Sequence, residues 1–276
     1  MADFTTALEK RHTFTEPEDA PLYCGRAESL WLLGEEQRAV ADASTAISIK
    51  ADAGAYIDRA LARDDAGDIE GARSDYRSAI TLDSKDAIAY DDLGWLEFRL
   101  GQVSKAMADY EKAMGIDSKH PLAWRNRALV WFDRQQWDKA LSDYRRAAKL
   151  DPTDPYAHIR LYLILARCHD PAARRELDTG LANLTDDVKS QWPGQVLQYL
   201  QGDLSDEALM SAAHVGSRKA VADQLCEGCF YRGELALMRG DDSEARHLLT
   251  EALKSGARTT DEYFSAQAEL ESLSRY

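Results

Sequence analysis

Residues 87–120, AIAYDDLGWLEFRLGQVSKAMADYEKAMGIDSKH, and residues 121–154, PLAWRNRALVWFDRQQWDKALSDYRRAAKLDPTD, can be laid one above the other without a gap. Tyr90 then falls over Trp124, Gly94 over Ala128, Ala106 over Ala140, Tyr110 over Tyr144 and Ala113 over Ala147. Self-similarity at a fixed period of 34 residues marks a repeat architecture. The physical reason for the pattern is helix packing. Small residues let two antiparallel helices approach closely, and the aromatic residues between them fill the holes that remain.

Two further units precede this pair. Residues 20–52 carry Tyr23, Ala27, Gly34, Ala39 and Ala46 in register, one residue short in the loop around Lys50 to Ala53. Residues 53–86 carry Tyr56, Ala60, Gly67, Ala72, Tyr76 and Ala79. Gly67 and Gly101 stand where a first helix must stop and turn, a place for positive φ. Gln135 replaces glycine in the fourth unit, which predicts a looser turn there, and Ser84 and Ser118 are placed to cap the helices that follow them.

The spacing of aromatic, small residue, alanine, aromatic and alanine resembles the tetratricopeptide repeat (TPR) signature. That resemblance implies an all-α fold: a right-handed TPR superhelix (α-solenoid) of helix pairs with a C-terminal capping helix. The expected organisation is a leader or partial cap over 1–19 with a short helix over Phe4–Arg11, four regular repeats over 20–154, and two irregular units over 155–225. A recovered repeat over 226–259 and a capping helix over 260–276 follow. In that last helix Tyr263, Phe264, Ala266, Leu270 and Leu273 fall mainly on one side and Glu262, Glu269 and Glu271 mainly on the other, the pattern of a solvating cap.

A narrower resemblance lies in the C-terminal third. Trp192-Pro193, Val196, Tyr199-Leu200, Gly202, Leu204 and Glu207-Ala208, followed by Cys226 to Tyr231 and Tyr263 to Leu270, resemble the C-terminal half of bacterial NlpI-type TPR proteins. That family implies an adaptor that docks envelope enzymes, is anchored by a lipid and can dimerise. No Leu-x-x-Cys lipidation signal follows an apolar segment near the start, so fold and adaptor role carry over better than compartment or partner.

Composition excludes several classes. The net charge is −14, which argues against general attraction to nucleic acid or anionic lipid, although residues 101–150 hold 10 basic against 6 acidic side chains. The start has no apolar core of signal-peptide length and no later run approaches the roughly 18 apolar residues of a membrane helix, so membrane insertion is not expected. Four scattered cysteines point to a reducing, cytoplasmic setting, or to the periplasm if a signal peptide has been removed.

Candidate chemistry is sparse. Cys226 and Cys229 have the spacing of a redox pair, but Cys229 sits at the aromatic core position of its helix, so both read as packing residues; Cys24 and Cys168 read as buried small hydrophobes. The six histidines lack ligand spacing, with His120 and His169 in inter-helix turns. No phosphate-cradling loop, nucleophile elbow or His-Glu-x-x-His helix is present. The expectation is no enzyme, no metal and no cofactor.

First helices of such repeats line a concave groove. The inward places are Asp58, Leu61, Asp64, Asp65, Asp91, Asp92, Trp95, Phe98 and Arg99 early, and Arg125, Asn126, Leu129, Phe132, Asp133, Ile159, Arg160, Leu163 and Arg167 late. Aromatics with arginine dominate binding hot spots, and the change from aspartates to arginines would hold a segment in one direction. The partner expected is an extended or helical segment of another protein. Cys24, Glu28 and Asp58 occupy the places where carboxylate-clamp repeats carry Lys and Asn, which disfavours that specificity. The alternative is a structural homo-oligomer, such as a homodimer, built on an apolar C-terminal surface around Trp192, Tyr199 and Phe264.

Overall fold

The computed structural model describes residues 17–274; the short helix expected over Phe4–Arg11 lies outside them. Every regular element among the described residues is helical. The chain divides into two compact units, residues 1–118 and 119–276.

In the first unit three helix pairs follow a short 3-10 turn at Pro17–Asp19. They are α1 (Ala20–Leu32) with α2 (Glu36–Ile49), α3 (Ala53–Asp65) with α4 (Ile69–Leu82), and α5 (Ala87–Arg99) with α6 (Val103–Ile116). Their starts are chemical. Asp52 accepts from the Ala55 amide, Asp68 from Gly71, and Asp86 from Ile88 and Ala89, each filling an otherwise orphaned donor of a first turn. Asp86 therefore caps α5, not Ser84 as expected. Ala60, Ala72 and Ala79 are fully buried around Tyr76, as the small-and-aromatic pattern requires. At Gly94 the two helices of a repeat approach closely: a Cβ there would stand 2.8 Å from the Tyr110 ring.

A second periodicity went unread in the sequence. Arg26 pairs with Asp42 and Arg59 with Asp75 (2.7 Å), each joining the two helices of one repeat 16 residues apart; Arg127 and Asp143 (2.7 Å) repeat the pair in the second unit. The third repeat breaks it, with Leu93 in the arginine place. Asp109, left without that arginine, is pushed up to about 6 by burial and by nearby Glu97, against the pull of Arg77 and Lys105.

The second unit begins with α7 (Pro121–Asp133) and α8 (Trp137–Leu150), then α9 (Pro155–Arg167) and α10 (Ala172–Asn183). His120, followed by Pro121 in the first turn, occupies the N-cap of α7, not Ser118. Short helices α11 (Asp186–Lys189), α12 (Gly194–Gln201) and α13 (Asp206–Ala212) lead to α14 (Arg218–Met238), α15 (Asp242–Lys254) and α16 (Asp261–Leu273). Gln135 does not loosen its turn: it adopts φ 55°, the left-handed conformation Gly67 and Gly101 take at the same place, and His169 does so again at φ 54°. Helix α14 starts at Arg218 instead of Cys226 because Ser217 caps it, its hydroxyl accepting from the Ala220 amide at 3.2 Å. Helix α16 lies within the span expected for the cap, and Tyr263, Ala266, Leu270 and Leu273 pack on the core as expected, but its acidic side is not solvated. Glu262 and Glu269 are buried with Ser265 and Ala266, and only Glu271 of the three acids is exposed.

Candidate functional site

The first-helix face of the N-terminal unit is built by α3 and α5. Leu61 and Trp95 lie partly exposed one period apart, and Trp95 stacks on Phe98 with ring centroids 5.7 Å apart. Phe98 and Asp91 are themselves buried. Arg99 is bound to the Asp64 carboxylate, and Asp65 accepts from the Trp31 indole at 2.8 Å. Asp58 is pushed up to about 6, chiefly by burial and then by Glu28. This face gathers the carboxylates of Asp58, Asp64, Asp65 and Asp92 beside Arg99, which Asp64 binds.

The corresponding face of the C-terminal unit is not open. Leu129, Phe132 and Leu163, expected to line a groove, have no exposed surface and belong to the core; Ile159 is likewise buried, and so is Asn126. What covers this face is the chain's own α16, which packs on α7, and α14, which packs on α9. Two of the arginines, Arg160 and Arg167, are bound to these helices. Arg160, only 2% exposed, donates to Glu262 (3.1 Å) and Ser265 (3.1 Å) and stacks over the Phe132 and Phe230 rings at 4.8 and 4.9 Å. Arg167 pairs with Glu234 and Glu269, both at 2.8 Å, and Arg125 with Asp154 at 3.1 Å. Ser265 in turn donates to Asp133 at 2.7 Å. Local periodicity could place these residues on the inward face but could not say that a helix more than 90 residues further on would fill it.

Electrostatically the contact carries more acid than base. Burial raises Asp133 to about 7, against the lowering effect of Ser265 and Arg160, and raises Glu234 to about 7 against Arg167, with Glu269 adding to the rise. Glu227 is held well above the usual carboxylate range by burial and then by Glu262, although Trp192 and Tyr156 donate to it.

Cys226 and Cys229 are buried, with burial pushing the Cys226 thiol up to about 12. Cys168 departs from expectation: it is exposed in the turn after α9, and Cys24 is half-buried. Tyr199, assigned to an apolar surface, is buried and donates to Asp206 at 2.9 Å. Among the described residues no three His, Cys, Asp or Glu side chains are grouped to hold a metal ion, and no helix is long and apolar enough to cross a membrane.

Residues 57–121 and 121–154 match sequence models of the tetratricopeptide repeat. Among solved structures, the chain is similar to that from a functional characterisation of Pseudomonas aeruginosa PilF, at 16% identity and a TM-score of 0.58, over 92% of this chain and 99% of that one. It is also similar to the C-terminal part of a TPR repeat-containing protein from Cytophaga hutchinsonii, at 15% identity and a TM-score of 0.50, over 92% of this chain and 88% of that one. Both are likenesses of fold. The matched repeat is a non-catalytic scaffold, in keeping with a chain that is not an enzyme.

Proposed function

This chain carries tetratricopeptide repeats over residues 57–154, and from that premise we propose that it is a non-catalytic adaptor whose N-terminal repeats hold a basic segment of a partner protein. The observation that carries the reading is the seating of α16. In the C-terminal unit the first-helix face takes an amphipathic helix by placing Arg160 and Arg167 against its buried acids, around apolar Leu163. Stepping back along the sequence by the 34-residue period, Leu163 becomes Leu129, Trp95 and Leu61, whereas Arg160 becomes Asn126, Asp92 and Asp58. The apolar centre is kept and the flanking charge is inverted. A face of this composition suits a segment with lysine or arginine flanking an apolar anchor, as helix-lined grooves take amphipathic ligands.

The test is affinity capture of partners from lysate, wild type against a Leu61→Ala/Trp95→Ala double variant, with Leu82→Ala at the exposed end of α4 as control. Both substituted side chains are partly exposed, so the double variant is expected to fold, which its melting curve checks. Partners lost from the double variant and kept by the control support the adaptor; the same partners in all three contradict it.

A further inference from the structure

We propose that the cleft between α12, α13 and α14 is a binding site for a short neutral saccharide. The cleft, of about 430 Å³, is within the size range of small-ligand sites. Its wall is made by Trp192, and its rim by the amides of Gln191, Gln195 and Gln224 beside Ala212 and Val215.

The lining residues carry no charged side chain, so an ionic ligand would enter without a counter-charge and lose its hydration uncompensated. Carboxamides suit hydroxyl groups: Gln191 can both donate and accept, the Gln195 oxygen can accept, and beside an aromatic wall they match a ligand that is polar at its edge and apolar on its face. A pyranose is built that way: its equatorial hydroxyls point outward and its axial C–H bonds form a face that packs on an indole.

The parts are held before any ligand arrives. Trp192 donates its indole N–H to Glu227 at 2.8 Å, and the far edge of its ring lies close to Gly228, where a Cβ would stand 3.6 Å from it and 3.1 Å from the Met210 sulfur. The hydrogen bond to Glu227 holds the ring by its N–H edge. Gln195 donates to the Ser190 carbonyl at 3.0 Å. The Gln224 amide, in the orientation that satisfies its surroundings, donates to the carbonyls of Val215 (3.1 Å) and Ala213 (3.3 Å). Gln191 is exposed at the rim. Preorganisation of this kind spares a ligand the entropy of ordering side chains. The site shares no residue with the face proposed for partner binding.

The experiment titrates the full chain with cellobiose, maltose and N,N′-diacetylchitobiose up to about 10 mM, enough to detect a Kd of about 1 mM, following ligand saturation transfer by NMR and tryptophan fluorescence. At least one disaccharide is expected to bind and to shift the fluorescence. Gln191→Ala, at an exposed position that folding does not need, is expected to weaken that binding about tenfold. Absence of binding by all three, equal binding by Gln191→Ala, or tighter binding of the charged sugar glucuronate would each overturn the assignment.

Discussion

Burial costs the Asp133 carboxylate more than Ser265 and Arg160 restore, and the consequence is a pH dependence with a definite sign. Its folded pKa of about 7 lies above the unfolded value of about 3.9, so the folded state binds more protons between the two. The contribution to stability is fully present below the unfolded pKa and is lost as pH rises through about 7. Glu234 acts in the same direction over the same window. Replacing Asp133 by Asn is therefore expected to raise the urea midpoint at pH 8 and to leave it little changed at pH 4, which denaturation at the two values checks. Thiol chemistry is a second prediction at this scale. Cys168 is expected to react with a thiol reagent in the native protein, whereas Cys226 reacts only on unfolding, since it is buried and its thiolate is disfavoured. The CxxC spacing was visible and its burial followed from register, but the exposure of Cys168 depended on where α9 ended, which the blurred register after Pro155 did not fix.

Among the elements α16 carries the most. It places Glu262, Ser265 and Glu269 against arginines of α9, and removing one partner of such a buried pair leaves an uncompensated charge. Arg160→Ala is expected to cost about 3–5 kcal/mol, and Glu262→Ala a similar amount, while the Arg160→Met/Glu262→Leu double variant should cost much less than either single change suggests. Equilibrium unfolding of the three variants tests this; additive losses would mean that the ion pair is not the source. The start of α16 was legible because Thr260 caps it, and its apolar side packs on the core as read, but two of the three acids read as solvated are buried. A helix pattern in which acids and apolar residues share the circumference reads as a solvated cap until the arginines that receive the acids are placed in space. The Arg26–Asp42, Arg59–Asp75 and Arg127–Asp143 pairs are the opposite case, since both residues recur at the repeat period and could have been found by aligning charges as well as small residues.

At the scale of the whole molecule the 34-residue period was enough for the fold class, because each repeat has to bury the same faces against its neighbours. It was not enough for the binding face, because the same register places were put to two uses: core contact with α16 in one unit, and partly exposed surface in the other. A net charge of −14 and a face rich in aspartate predict that partner capture weakens as salt rises from low to about 0.5 M, since the attraction that draws a basic segment to the acidic surface is screened over about a Debye length. The most direct test of the adaptor reading is site-specific photocrosslinking. A photoreactive phenylalanine analogue is placed at Trp95, and in a second protein at Leu82, and each is illuminated in lysate. Crosslinks at position 95 to a partner peptide bearing lysine or arginine, with none at position 82, are the result expected. Identical products from both positions, or none at 95, would contradict it.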